Sequence, residues 1–217
     1  MAELPTLHPL GESAITLSWG TTVESALNDR VQAAARAIEA AALPGVRELV
    51  PAYASLTVFY DPLHLDAAAL APRLADLARA ATGVETAQAA GREHLIPVRY
   101  AGPDLDEVAR QTGLSRAEVI RRHAERWYRV YLLGFAPGFA YLGDLDPALV
   151  LARRGIPRKR VPAGSVAIAG GQTAVYPLDT PGGWHLLGHT EVVLFDPERQ
   201  PPSLLQPGDL VRFEPVS

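Results

Sequence analysis

The stretch that decides the fold is residues 157–190, PRKRVPAGSVAIAGGQTAVYPLDTPGGWHLLGHT. Its apolar and β-branched runs are short, and Pro and Gly separate them, as in strands joined by tight turns. Further strands with the same pattern are predicted in WYRVYLLGF (127–135), TEVVLFDP (190–197) and DLVRFEPV (209–216). Short strands at such close spacing are typical of a β-barrel or sandwich, not of a parallel α/β sheet.

The first ninety residues follow a different pattern, in which strands alternate with helices. SAITLSWG (13–20) alternates apolar and polar residues as a half-buried strand does. The predicted order is strand, helix, strand, strand, helix. A further strand in HLIPVRYAG (94–102) either completes a βαββαβ ferredoxin-like unit or opens the next domain. The small and polar segment ATGVETAQAAGRE (81–93) predicts a boundary, so we expect domains at 1–90 and 91–217.

A helical segment near 104–126 opens the second domain. Its small residue Ala109, turn residue Gly113 and aliphatic Val119 have the spacing of a DNA-binding helix-turn-helix. The net charge of −4 lacks the positive excess that phosphate binding requires, and any two short helices joined by Thr-Gly give this pattern. We therefore expect a helical pair within a larger domain and no nucleic-acid partner.

Composition limits the cellular setting. The chain has no cysteine, which excludes disulfides and thiol nucleophiles. Its apolar runs are shorter than the roughly 18 residues that a membrane span needs. The start MAELPTLHPLGES does not follow the pattern of a secretory signal. We expect a cytoplasmic protein without a membrane partner.

Three kinds of reactive site are disfavoured by spacing. His185 and His189 lie in predicted extended chain, where four residues span about 13 Å, too far to share one metal ion. Ser165 lacks the G-x-S-x-G context of an exposed nucleophile. The segment GGQT lacks the lysine of a phosphate-binding P-loop. We expect no metal site.

Four stretches together resemble a known family. They are GESAITLSWG (11–20), YLLGFAPGFAYLGDL (131–145), the opening stretch 157–190 and LLQPGDLVRF (204–213). These long motifs anchored by Gly and Pro closely resemble the family of the 5-oxoprolinase B subunit, also described as allophanate hydrolase subunit 1, carboxyltransferase subdomains C and D, and sporulation-kinase inhibitor. The resemblance implies an α+β protein with an N-terminal ferredoxin-like domain and a C-terminal cyclophilin-like β-barrel.

The resemblance also implies a function within a complex. A member acts as the B subunit of an ATP-dependent 5-oxoprolinase, which converts 5-oxoproline to glutamate together with subunits A and C, and we expect it to be inactive alone. ATP with Mg is then a requirement of the complex, and this chain binds neither by itself. Two alternatives remain open: an inhibitor that binds a sensor histidine kinase, and the carboxyltransferase half of a urea or amide carboxylase.

Residues within the family motifs are the candidates for a site. The glycine-rich loop GFAPGFAYLGDL (134–145) offers backbone amides and aromatic walls for a small-molecule substrate, and a tight barrel corner is the alternative explanation. Arginine in the basic run of residues 153–160 can clamp a carboxylate or phosphate, and a solvated loop between barrel strands is the alternative explanation. The run contains Arg153, Arg154, Arg158, Lys159 and Arg160. The histidines are the candidates for a general base, although a buried histidine is often structural. The predicted substrate-binding residues are Gly138, Phe139, Tyr141, Arg158, Gln172 and Tyr176, and the predicted catalytic candidates are His189 and His185.

Overall fold

The computed structural model describes residues 4–81 and 91–217 of the chain. The chain divides into two compact units, Met1–Ala90 and Gly91–Ser217, and each combines helices with β-sheet. Most of the predicted boundary segment, residues 82–90, lies outside the described residues. Within the described ranges, no helix has both the length and the apolar character needed to cross a membrane.

The first unit is a four-stranded antiparallel sheet with two helices in one shared core. Strand β4 alternates strictly, so that Leu56, Val58 and Tyr60 are buried, while α1 contributes Val31 and Ile38 to the same core. The sheet order is β1-β2-β4-β3. The elements are β1 Thr6–Pro9, β2 Ala14–Ser18, α1 Ser25–Ala40, β3 Val46–Pro51, β4 Ser55–Tyr60 and α2 Ala67–Ala81.

The edge of this sheet decides between the two alternatives for HLIPVRYAG, which were completion of a βαββαβ unit and the opening of the next domain. Strand β1 pairs with β2 and takes that edge, with Leu7 opposite Leu17. The strand predicted in HLIPVRYAG is β5, Glu93–Val98, and it belongs to the sheet of the second unit. The first unit therefore runs β-β-α-β-β-α along the chain, and HLIPVRYAG opens the next unit.

The second unit is built on a seven-stranded sheet of order β12-β9-β10-β7-β6-β13-β5. Arg99 and His189 exchange two backbone hydrogen bonds of 2.9 and 3.0 Å, which joins the chain after β5 to β12. The sheet is consequently a nearly closed barrel. Its further elements are β6 Tyr128–Leu133, β7 Ala140–Gly143, a 3₁₀ turn Pro147–Leu149, β9 Ser165–Ala169, β10 Gln172–Val175, β12 His185–His189 and β13 Leu210–Pro215, with a separate ribbon of β8 Arg158–Val161 and β11 Thr180–Gly182.

The predicted helical segment contains two helices, α3 Leu105–Thr112 and α4 Arg116–Ala124. Gly113 ends α3 in the left-handed conformation, with φ of 71°, and Ser115 caps α4 by accepting a hydrogen bond from the Glu118 amide. Val108 and Val119 are fully buried in the barrel core. The helix-turn-helix spacing therefore reflects packing of a helical pair against the barrel.

The prediction of a strand in TEVVLFDP (190–197) is wrong. This segment joins no sheet apart from one isolated bridge between Phe195 and Ser203. Leu194 is buried against the barrel, while Val193 is 62% exposed. The apolar alternation thus results from the packing of one side of an irregular segment. The backbone of this segment forms hydrogen bonds with the 202–204 turn and not with a neighbouring strand.

Candidate functional site

An aromatic pocket of about 160 Å³ opens in the second unit. Four segments form it: the connection between β6 and β7, the loop before β8, the end of β10, and the turn between β11 and β12. We call this cavity the aromatic pocket. Its lining residues are Phe135, Phe139, Tyr141, Arg153, Arg154, Pro157, Tyr176, Pro181, Gly182, Gly183 and Trp184.

Phe139 lies at the centre of the aromatic walls. Its ring makes edge-to-face contacts with Phe135, Tyr141, Tyr176 and Trp184, at centroid distances of 5.2, 4.9, 5.3 and 5.8 Å. Edge-to-face pairs stabilise by about 0.5–1.5 kcal/mol each beyond burial. The walls are therefore held by one another.

Two glycines allow this arrangement. Gly138 has φ of 77°, and a Cβ there would lie 2.6 Å from Cβ of Phe195, so the turn that directs Phe139 inward accepts only glycine. A Cβ on Gly182 would overlap the hydroxyl of Tyr176. The glycines of these motifs thus serve close packing around the aromatic rings.

The two tyrosine hydroxyls of the pocket stay protonated. Burial raises the pKa of Tyr141 and of Tyr176, and this effect outweighs the opposing influence of nearby Arg153. The Trp184 backbone amide hydrogen-bonds the Tyr176 hydroxyl. The hydroxyls are therefore neutral hydrogen-bond donors at physiological pH.

A buried carboxylate contacts the basic run of residues 153–160 beside the pocket, which we call the basic loop. Asp104 is 3% exposed, and its Oδ1 accepts hydrogen bonds from Arg154 at 3.0 Å and Arg158 at 2.6 Å. Its Oδ2 accepts from the backbone amide of Leu186 at 2.7 Å. Asp104 thereby joins the start of α3, the basic loop and β12.

Arg153 differs from its neighbours. Within residues 4–81 and 91–217 it has no carboxylate partner, and its guanidinium carbon lies 6.0 Å from the centroid of the Trp184 ring. This distance is that of a cation–π contact. Arg153 is accordingly the uncommitted charge at the pocket.

The architecture and motifs agree with the family comparison. The sequence model described as carboxyltransferase domain, subdomain C and D, matches residues 5–205. The chain belongs to this family. The resemblance inferred from the four motifs is therefore confirmed.

Members of the carboxyltransferase subdomain C and D family similar to this chain include proteins named as the B subunit of 5-oxoprolinase. The one from Bacillus subtilis (strain 168) is 43% identical, over 97% of this chain and 92% of that protein. The one from Escherichia coli O157:H7 is 44% identical, over 95% and 94%. The crystal structure of TTHA0988 has a TM-score of 0.83 at 45% identity, over 94% of this chain but 40% of that one. This chain thus spans about 40% of that longer polypeptide.

The structure brings some of the predicted site residues of this family member together. Phe139, Tyr141 and Tyr176 line the aromatic pocket, and Gly138 precedes Phe139 in the turn. Arg158 bonds to Asp104 and Gln172 begins β10, and the described pocket lining includes neither. The predicted substrate-binding set therefore divides into pocket residues and residues beside the pocket.

The two candidate histidines have separate surroundings. His185 is 4% exposed, and its Nε2 donates to the Ala152 carbonyl at 2.9 Å, next to Arg153. His189 is exposed, and its Nε2 lies 3.1 Å from the Ala163 carbonyl. The described residues contain no group of three or more His, Cys, Asp or Glu side chains placed to hold a metal ion.

His189 does not line the aromatic pocket. It ends β12, while Trp184 immediately precedes that strand, so about 16 Å of extended chain separates them. The expectation of extended chain between the histidines is confirmed. His185 instead holds the loop that carries Arg153.

Sequence reasoning missed Asp104 and Trp184 as site residues, and it included Arg153 only as one member of the basic run. Asp104 is 50 and 54 residues from its arginine partners, so no local spacing indicates the pairing. Trp184 lies inside the family motif PGGWH, where an aromatic residue beside two glycines was the available indication. The basic run did indicate an anion site, but not which arginine is free.

Proposed function

We propose that this chain is the B subunit of an ATP-dependent 5-oxoprolinase, which opens 5-oxoproline to glutamate together with subunits A and C. The observation that carries the proposal is 43–44% identity, over nearly the whole chain, to two proteins named as that subunit. The match covers the pocket motifs as well as the core. We place the complex in the cytoplasm.

ATP with Mg binds elsewhere in the complex under this proposal. The aromatic pocket, at about 160 Å³, is smaller than the roughly 300–1,000 Å³ of sites for drug-sized ligands. It lacks a P-loop sequence, as does the rest of the chain. Since the B subunit acts together with subunits A and C under this proposal, we expect this chain alone to have no ATPase or 5-oxoprolinase activity. The longer chain of TTHA0988 supports a partner for this fold.

The two units of the chain are two different kinds of domain under this proposal. We assign residues 1–90 to a ferredoxin-like domain in which β1 takes the place of the usual last strand, antiparallel beside β2. We assign residues 91–217 to a cyclophilin-like barrel. The nearly closed seven-stranded sheet supports that assignment.

The aromatic pocket is the proposed substrate site. Phe139, Tyr141 and Tyr176 offer apolar walls and neutral hydroxyl donors to a small amide ring. His189 is exposed and is the candidate general base for a site shared with another subunit. Phosphorylation of the lactam followed by hydrolysis is the expected reaction sequence, in which this chain's residues bind and orient the ring.

Co-expression with candidate subunits A and C tests the proposal. We expect the purified complex to release glutamate from 5-oxoproline only when ATP is supplied. A folded and associated set of three subunits with no release would refute the enzyme assignment. Inhibition of a histidine kinase's autophosphorylation, or biotin-dependent carboxylation of urea, would then identify which alternative replaces it.

A further inference from the structure

The charge at the aromatic pocket is unbalanced. Arg153 and Arg154 line it, and among the described lining residues none is acidic. Asp104, which is 3% exposed, already accepts from both Arg154 and Arg158. One carboxylate thus serves two guanidinium groups, and the full positive charge of Arg153 is available to an entering anion.

Two contacts orient Arg153, which is exposed. Its guanidinium lies over the face of Trp184, and the preceding carbonyl, that of Ala152, accepts a hydrogen bond from His185. A guanidinium supported on one face by an aromatic ring keeps its hydrogen-bonding edge free. That edge matches a carboxylate, which accepts two parallel hydrogen bonds from it.

The other walls of the pocket are uncharged and mainly aromatic. Five aromatic rings form its walls, and the Tyr141 and Tyr176 hydroxyls remain protonated because burial raises the pKa of each. Such walls accept an uncharged ring and donate to an amide carbonyl. A ligand ammonium would instead face Arg153 and Arg154, and like charges in a partly buried site repel.

We propose that Arg153 anchors the carboxylate of a small ligand in the aromatic pocket, and that the pocket selects lactam acids over amino acids. The class is a small carboxylate whose other part is a flat, uncharged amide ring. The choice of 5-oxoproline as the representative rests on the proposed function.

Calorimetric titration of the purified full-length chain tests this assignment with four probes. They are 5-oxoproline, 2-pyrrolidinone, which is the same ring without the carboxylate, proline, which carries an ammonium, and inorganic phosphate. We expect 5-oxoproline to bind about tenfold or more tightly than 2-pyrrolidinone, since hydrogen bonds to a charged group contribute at least that factor. Proline is expected to bind more weakly than 5-oxoproline because its ammonium faces two arginines, and phosphate because it has no ring to contact the aromatic walls. Tighter binding of phosphate would contradict a carboxylate site.

Variants locate the binding. Arg153→Gln is expected to lower the affinity for 5-oxoproline about tenfold or more and to leave that for 2-pyrrolidinone unchanged. Arg153→Lys, which keeps the charge but loses the fork, is expected to be intermediate. Arg160→Gln is the matched control, because Arg160 belongs to the same basic segment but pairs with Asp179 outside the pocket lining.

Three results would overturn the inference: equal affinity for 5-oxoproline and 2-pyrrolidinone, an unchanged affinity in Arg153→Gln, or no saturable binding of 5-oxoproline. None of them depends on activity of the assembled complex. A complex without glutamate release would refute the proposed function, while the binding pattern would still decide the role of Arg153. In an active complex, Arg153→Gln is expected to raise KM more than it lowers kcat.

Discussion

At the scale of single residues, Asp104 determines how the basic loop meets the barrel. Replacing it by Ala leaves Arg154 and Arg158 without a counter-charge and the Leu186 amide without its acceptor. Removing one partner of a buried ion pair costs about 3–5 kcal/mol. The arginine side chains are 33% and 24% exposed, so solvent screening reduces the expected loss of unfolding free energy to about 2–4 kcal/mol.

Urea denaturation of Asp104→Ala measures this loss. Asp106→Ala is the matched control, because Asp106 lies two residues away, is 76% exposed and pairs with Arg116 at the surface. We expect the control to change stability little. Equal stability of the two variants would show that Asp104 does not hold the loop.

His123 is a buried neutral histidine, and its contacts fix its tautomer. The Thr173 hydroxyl donates to the Ala167 carbonyl at 2.9 Å, so it accepts from Nε2–H of His123 at 2.8 Å. Nδ1 of His123 then accepts from the Tyr100 hydroxyl at 2.6 Å. Its ring also stacks on Phe213 at 4.6 Å. The imidazole therefore links α4 to β10 and to the chain after β5.

We expect the free energy of unfolding to decrease as the pH is lowered, because of His123. Complete burial lowers the pKa of His123 to about 3 from its ordinary 6.5. Below pH 6.5, His123 takes up a proton in the unfolded chain but not in the folded chain. The free energy of unfolding therefore decreases by up to about 1.4 kcal/mol per pH unit until about pH 3. Urea denaturation between pH 7.5 and 4.5 should show a flatter profile for His123→Gln, and parallel profiles would contradict this role.

The residues of the pocket differ in how far sequence predicts them. Phe139, Tyr141 and Tyr176 follow from aromatic side chains within glycine-rich motifs. The free arginine does not, because Asp104 selects Arg154 and Arg158 only after β12 approaches the start of α3. That approach depends on closure of the barrel, which brings together residues far apart in the chain. The residues next to each arginine in the sequence therefore do not predict it.

At the scale of elements, β5 and β13 join the two ends of the second unit in parallel register, from Glu93 opposite Leu210 to Val98 opposite Pro215. Asp209, in the motif LLQPGDLVRF, fastens this pairing. Its side chain is 5% exposed and accepts from the Arg92 amide, the Gln206 amide and His94 Nε2, each at 2.9 Å.

Asp209→Ala is expected to loosen β5. The substitution leaves three partly buried donors without this acceptor, and because water can reach them in part, each loss is expected to cost about 1 kcal/mol, the low end of the range for buried groups. Hydrogen exchange should accelerate in residues 93–98, and the β9–β10 pair should be less affected. Asp196→Ala, which removes only a local turn bond to the Glu198 amide, serves as control. Unchanged exchange in β5 would contradict the role assigned to Asp209.

Apolar patterning predicts strands that are buried on both faces, such as β9, and half-buried strands, such as β2 and β4. It fails where a strand has few apolar residues or where an irregular segment packs on one side. The apolar runs in β9 and β10 were found because the barrel buries them almost completely. Strands β8 and β11 were not predicted, because their sequences RKRV and TPG contain too few apolar residues to form a recognisable pattern. TEVVLFDP shows the opposite error, because one-sided packing also produces alternation.

At the scale of the whole molecule, composition and the change of pattern near residue 90 predicted two units of different character. The topology of the first was not predictable, because the edge position of β1 depends on pairing of the short run TLHP with β2. The near closure of the barrel in the second unit rests on the Arg99–His189 backbone pair. Neither contact has a local sequence pattern.

The proposed 5-oxoprolinase reaction requires this chain. The most direct measurement is ATP-dependent release of glutamate from 5-oxoproline by purified subunits A and C as this chain is titrated into them. We predict no release without the chain, and a rate that rises until each complex contains its full complement of the chain. Release at the same rate without it, or no release at saturation from an assembled complex, would contradict the account.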